Sequence, residues 1–236
     1  MLKQQNSISN WLHQPVIYDL TPFSLLDYPN HLAAIVWFAG CSMRCRYCYN
    51  PAIVLAPSGK LSCQDILIFL GKRVNRLDAV VLSGGECSEF KELLNFCEKI
   101  KSLGFKIKLD TNGSNPEILA NLITAQSIDY IALDYKAPPE KFIAITGRNL
   151  FAQFMTSLDI LIGAKVEFEV RTTIHRDLLD ESDLNKMAAN LKHHGYNGTY
   201  YLQNFVSSSA NLGNLTEPLH SFNPSLLKSE LNFVIR

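Results

Sequence analysis

Six short runs rich in β-branched and aromatic residues recur along the 236 residues, each separated from the next by a stretch with helical spacing. The runs are AAIVWFA (33–39), DAVVLSG (78–84), FKIKLDT (105–111), YIALDYK (130–136), KVEFEVRTTI (165–174) and TYYLQNF (199–205). Between them, helical patterns cover 63–74, 88–103, 116–125, 139–162 with a break at Gly147, and 180–193. Start signals fall where they should. Ser62 is placed to cap the first helix with Asp65 in its first turn, Pro116 follows Asn115 in cap-then-first-turn order, and Asp180 precedes the last. Regular alternation of strand and helix predicts an α/β fold with parallel strands and right-handed crossovers. Six such units predict either an incomplete barrel or an open doubly wound sheet. In both, the site lies at the carboxyl ends of the strands.

No internal repeat or low-complexity segment breaks the chain, so a single domain over 1–236 is expected: a lead-in 1–32, a barrel core 33–205 and a C-terminal extension 206–236. SSSANLGNLTEP (207–218) is its one long polar loop. An apolar content of 47% is enough for a sizeable core. Lys+Arg and Asp+Glu both number 22, and a net charge of zero supplies no field to hold nucleic acid by counterion release. The longest apolar run, 32–39, falls well short of the roughly 20 residues that cross a bilayer, so no membrane partner is expected. The opening MLKQQNSISNWLHQ has neither an apolar h-region nor a small-residue cleavage site, which predicts a cytoplasmic protein.

In such a compartment six cysteines point to thiol chemistry rather than a disulfide framework. Cys41, Cys45 and Cys48 crowd into GCSMRCRYCYNP, at the end of the first run. Cys63, Cys87 and Cys97 stand alone, the first and last as expected core thiols. Spacings of three and two residues let one loop turn three sulfurs toward a common centre, and thiolates select zinc, copper(I) or iron–sulfur clusters. A structural zinc would need a fourth ligand, and the flanking sequence offers only His31, ten residues upstream of Cys41. A [4Fe-4S] cubane on three thiolates leaves one iron open. Arg44 and Arg46 are expected to lower the thiol pKa values and to suit an anionic cluster or substrate. Polar groups also close the other runs: Ser83-Gly84-Gly85-Glu86, Asp110-Thr111-Asn112-Gly113, Asp134-Tyr135-Lys136 and Arg171-Thr172-Thr173. Two glycines before Glu86 let a ligand approach the backbone.

The CxxxCxxC loop, with Tyr47 before its third cysteine, resembles the signature of the radical S-adenosylmethionine superfamily. The phrases TPFSLLDYP, CxxxCxxCYNP, LDTNGSNP, DYIALDYKAP, RTTIH and YYLQNF are similar to its glycyl-radical activating branch, above all to activators of anaerobic ribonucleoside-triphosphate reductase. The resemblance implies a partial (β/α)6 TIM-like barrel and a [4Fe-4S] cluster on Cys41, Cys45 and Cys48. The fourth iron would be chelated by the amine and carboxylate of S-adenosyl-L-methionine. One electron, from a flavodoxin or ferredoxin, would then yield methionine and a 5′-deoxyadenosyl radical that installs a glycyl radical on a partner enzyme. Ser83, Gly84, Gly85 and Glu86 would receive the methionyl ammonium. Asp110, Thr111 and Asn112 would serve the ribose and methionine, with Asp134 and Lys136 forming the next motif of the branch. Lys136 and Arg171 would be counterions for the methionyl carboxylate, and His175 is expected in a surface loop. Cys87-Ser88 and Tyr49-Asn50 stand where relatives commonly carry Pro-Thr and His-Asn. Two other readings remain: a radical enzyme for a small molecule, similar to 7-carboxy-7-deazaguanine synthase, and a non-catalytic zinc-binding module.

Overall fold

The computed structural model describes residues 11–207 and 210–236, which fall into two compact units. Residues 1–10, on which the expectation of no export rests, and 208–209 of the polar loop lie outside the described residues.

The first unit comprises the described part of Met1–Cys41, Ala52–Thr111 and Glu117–Ile131. Its elements in chain order are β1 (Ile17–Ser24), β2 (Ala33–Phe38), α1 (Pro51–Val54), α2 (Cys63–Gly71), β3 (Ala79–Gly84), α3 (Leu93–Ser102), β4 (Lys106–Thr111) and α4 (Pro116–Thr124), with β5 (Tyr130–Asp134) at the boundary in sequence. β2, β3 and β4 run parallel, Ile35 opposite Val81 and Leu82 opposite Leu109. Ala33 to Val36 and Ala79 to Leu82 are buried without alternation, as strands covered on both faces must be. The cover comes from one face of each helix: Cys63, Ile66 and Leu70 of α2, then Leu93, Phe96, Cys97 and Ile100 of α3. Phe96 meets Phe38 of β2 edge to face at 6.2 Å. The Ser62 cap is a full capping box: its side chain accepts from Asp65 N while Asp65 accepts from Ser62 N.

The second unit comprises Ser42–Pro51, Asn112–Pro116 and Ala132–Arg236. It contains α5 (Pro139–Thr146), α6 (Phe151–Gly163), β6 (Glu167–Ile174), α7 (Glu181–His193), β7 (Tyr200–Asn204) and β8 (Phe233–Ile235). β6, β7 and β8 are parallel, with Thr172 opposite Leu202 and Leu202 opposite Ile235. Phe142, Phe154, Leu158, Leu184, Met187 and Tyr200 fill the core. Gly147 ends α5 at φ +69°, a left-handed cap that glycine adopts without strain.

The expected α/β class with parallel strands is what the chain adopts, and the six anticipated runs are β2 to β7. The departures are local. The helix expected from 88 begins at Leu93, because Cys87–Glu89 make a 3-10 turn, and the pattern over 139–162 splits into α5 and α6 around Gly147. β1, antiparallel to β2, and β8 are additional strands. Among the described residues no helix is long and apolar enough to cross a membrane.

Candidate active site

In the first unit the end of β3 lies directly on the end of β2. Gly85 N donates to Phe38 O and Glu86 N to Gly40 O, both at 2.9 Å. A Cβ on Gly84, which sits at φ +118°, would stand 2.3 Å from Phe38 N; one on Gly85 would stand 1.7 Å from Gly40 O and 3.2 Å from Cys41 Cβ. What approaches these two glycines is therefore the chain's own backbone, and their lack of side chains brings the turn against Cys41. Glu86 is buried, and its Oε1 accepts from Ser88 N (3.1 Å), Ser88 Oγ (2.6 Å) and Thr111 Oγ1 (2.8 Å). Asp110 accepts from Ser83 Oγ at 3.1 Å and pairs with the buried Lys108. Cys87 is enclosed behind them, its sulfur 3.4 Å from Asp110 O. Burial, with Glu86 and Asp110 adding to it, pushes that thiol well up. Cys41, Ser83, Gly84, Gly85, Glu86, Asp110 and Thr111 are thus gathered in one place. Lys108 went unnoticed in the sequence, although its period-2 relation to Asp110 on a strand was the available signal.

In the second unit the loop that continues from Cys41 is held from two sides. The last carbonyls of α5 take Arg44 N (2.7 Å, Thr146 O) and Arg46 N (3.0 Å, Ile145 O). From the other side Leu212 N donates to Cys48 O at 3.0 Å and Gly213 N to Arg46 O at 2.7 Å. Cys48 N donates to Cys45 O at 3.0 Å, closing the turn between them. Tyr47 is buried, its hydroxyl donating to Lys136 O at 3.0 Å. Asp134 accepts from Arg171 Nε at 2.5 Å and from Lys136 Nζ at 2.9 Å. Burial alone would raise its pKa, but Arg171 and then Lys136 outweigh burial and hold the carboxyl well below its usual range. Lys136, which burial would lower, is raised instead by Asp134. Asn112 donates to Ser42 Oγ at 3.3 Å and accepts from Ser114 N at 2.9 Å, with the two serine hydroxyls 3.0 Å apart.

Two expectations are corrected. Cys45 is not lowered by the neighbouring arginines: burial pushes it up to about 11, with Lys136 only partly opposing, while Arg44 Nη1 is turned onto Met43 O. His175 is no surface histidine. It is buried, its Nε2 3.0 Å from Thr216 O and its ring 4.7 Å from that of Phe205. Cys63 and Cys97 are buried core thiols as expected, Cys63 pushed up to about 12 by burial.

Cys41, Cys45 and Cys48 form no disulfide among the described residues. Three thiols at spacings of three and two residues in one stretch of chain are, by their chemistry, a donor set that fits three-thiolate attachment of an iron–sulfur cluster. Among the described residues no three His, Cys, Asp or Glu side chains close on a single metal-ion position.

Residues 35–188 match the Radical SAM superfamily, and the chain belongs to it. Enzymes of this superfamily use a [4Fe-4S] cluster and S-adenosyl-L-methionine. The chain is 30% identical over 183 residues to a Methanocaldococcus jannaschii protein provisionally named a glycyl-radical enzyme activating enzyme, covering 75% of each. It is 29% identical over 188 residues to the pyruvate formate-lyase-activating enzyme of Clostridium pasteurianum, covering 74% of this chain and 75% of that one. In fold it is similar to Streptococcus suis SuiB, solved bound to S-adenosylmethionine. The TM-score is 0.62 at 13% identity, over 86% of this chain and 51% of that one.

Proposed function

We propose that this radical SAM enzyme activates a glycyl-radical enzyme, with anaerobic ribonucleoside-triphosphate reductase as the partner and a flavodoxin or ferredoxin as electron donor. Its likeness to activating-enzyme relatives over three quarters of both chains carries the proposal. Cys41, Cys45 and Cys48 would hold the cluster. When bound, the cluster and S-adenosyl-L-methionine supply reductive cleavage of the sulfonium to methionine and a 5′-deoxyadenosyl radical, which takes hydrogen from a glycine Cα. The chain's own groups bind and orient. Gly84, Gly85 and Glu86 would receive the methionyl ammonium, with Ser83, Asp110, Thr111 and Asn112 beside the ribose and methionine. Arg171 and Lys136 carry two positive charges against the single negative charge of Asp134, which holds them side by side. Arg171 and Lys136 would serve together as counterions for the methionyl carboxylate. Tyr47 fixes the Lys136 backbone from below.

The test is electron paramagnetic resonance on the anaerobically reconstituted protein mixed with S-adenosyl-L-methionine, reductant and candidate glycyl-radical enzymes, the ribonucleotide reductase first. An organic doublet on the partner is expected. A doublet only on another glycyl-radical enzyme would overturn the choice of reductase. No doublet with any candidate, together with turnover of a 7-deazaguanine precursor, would replace activation by small-molecule chemistry. A colourless protein holding zinc and no iron would remove the enzyme altogether.

A further inference from the structure

A cysteine loop that must be reduced from outside needs a face on which the reductant can settle, and this loop presents a charged one. Arg46 and Arg148 are both exposed. Their placement is built rather than accidental. The end of α5 fixes Arg46 through its backbone N on Ile145 O, Gly213 N closes on Arg46 O, and Arg148 Nε donates to Ser42 O at 3.2 Å. Thr146 Oγ1 accepts from Arg148 N at 3.3 Å, so α5 positions this residue too. No ion pair engages either guanidinium among the described residues. Asp134 is already neutralised by Arg171 and Lys136, whereas Glu217, near Tyr49, keeps its negative charge with Ser207 hydrogen-bonded to it. On the last turn of α5, the helix that anchors both arginine backbones, Ile143 stands 56% exposed. In a chain whose formal charge is zero, two unpaired cations brought to the thiol-bearing loop are a local feature and not a diffuse background.

We propose that this arginine face of the 42–48 loop is the docking surface for an acidic one-electron carrier protein, a flavodoxin. The proposal rests on the radical chemistry argued above, and it commits the electron donor to a place on the chain. Weak redox encounters use small interfaces steered by charge, which is what two exposed guanidiniums at the cysteine loop provide. No bond in this chain is made or broken on docking. The carrier's reduced flavin would give up one electron to the cluster that Cys41, Cys45 and Cys48 would hold, the flavin being oxidised and the cluster reduced by that one electron.

The experiment is anaerobic titration calorimetry of the reconstituted protein with flavodoxin, at low and at moderate salt, for the parent, Arg46→Glu, Arg148→Glu and Arg46→Lys. Charge reversal at either position is expected to weaken flavodoxin binding about tenfold or more, and raised salt to weaken the parent's binding. Arg46→Lys is expected to stay close to the parent. S-adenosyl-L-methionine cleavage driven by dithionite is expected to be unchanged in Arg148→Glu, a residue that lies outside the cysteine loop. Equal flavodoxin affinity in the parent and both reversed variants would overturn the docking surface. So would reversed variants that lose affinity for a glycyl-radical partner and keep it for flavodoxin. Loss of binding in Arg46→Lys equal to that in Arg46→Glu would also overturn it, since charge would then not be the cause. A parent that binds flavodoxin through these arginines yet radicalises no partner enzyme would sink the proposed activation and leave the docking surface standing.

Discussion

Gly85 shows how much one missing methyl group decides. Nothing about its dihedral angles demands glycine; what demands it is a carbonyl oxygen 1.7 Å from where a Cβ would stand, with Cys41 Cβ behind it at 3.2 Å. Both obstacles are part of the chain at the first of the proposed cluster ligands, so neither can swing aside as a flexible side chain would. Gly85→Ala is therefore expected to cost about 1–3 kcal/mol in urea unfolding and to lower iron uptake on reconstitution. Wild-type stability together with full iron content would show that the turn has slack. Asp134 makes the opposite case, in which a charged group is defined by its neighbours. Its folded-state pKa is depressed below the unfolded carboxylate value of about 3.9, so the stability it contributes is fully present above that value. That contribution is lost as pH falls toward the folded value. Asp134→Asn leaves Arg171 and Lys136 with no carboxylate between them, and a loss of about 2 kcal/mol is expected at pH 7. The gap between parent and variant should hold down to about pH 5 and narrow below about pH 4. Unfolding measured across that range checks it, and a gap that widens toward acid would contradict the assigned sign.

At the scale of elements, the segment around Gly213 is the least conspicuous in sequence and among the most closely fitted. Leu212 and Gly213 donate to the carbonyls of Cys48 and Arg46, and a Cβ at 213 would lie 2.7 Å from Arg46 O. Gly213→Val is expected to lift this strap from the cysteine loop without touching any thiol. Thermolysin cleavage beside Leu212 and Leu215 should then quicken, while the far-ultraviolet circular dichroism stays that of the parent. Unchanged cleavage would mean that the strap is not held by this contact. None of this was legible beforehand, because 207–218 reads as polar loop and its partners lie more than 160 residues away in sequence. β8 escaped for a related reason: three residues, paired only through β7, carry no period of their own. β1 contains Asp19 and Pro22 and slips register between Thr21 and Ser24, which blurs its alternation. By contrast β2 and β3 declared themselves by continuous burial-grade apolar runs, and Ser62 and Asp180 by capping chemistry that the structure realises as two capping boxes. The residues proposed for the site were legible where strand ends and spacing exposed them, as at Cys41, Glu86, Asp110 and Asp134. Their partners Ser88, Lys108 and Ser114 were not, since only packing brings them in.

For the whole molecule, the question is whether the cluster holds the fold or the fold holds the cluster. Small metal-binding domains that lack an adequate core unfold when the metal leaves. This chain is built otherwise: its buried apolar residues lie in β2, β3, β4 and α2, α3 of one unit and in β6, β7 and α6, α7 of the other, each set well stocked without the thiol loop. Of the three proposed ligands only Cys45 is buried, and a cysteine truncated to alanine removes a single sulfur's packing. The cluster-free protein, and the variant with Cys41, Cys45 and Cys48 all replaced by Ala, are therefore expected to keep native far-ultraviolet circular dichroism at 25 °C and to unfold cooperatively in urea. Binding of the cluster adds stability on top of that, as any ligand of the folded state does. Iron uptake and S-adenosyl-L-methionine cleavage should both vanish in the triple variant while its unfolding transition persists. A cluster-free chain with no cooperative transition would reverse the dependence, making the iron a structural element in the sense of a zinc finger. A triple variant that still cleaves S-adenosyl-L-methionine would remove the thiols from the chemistry altogether.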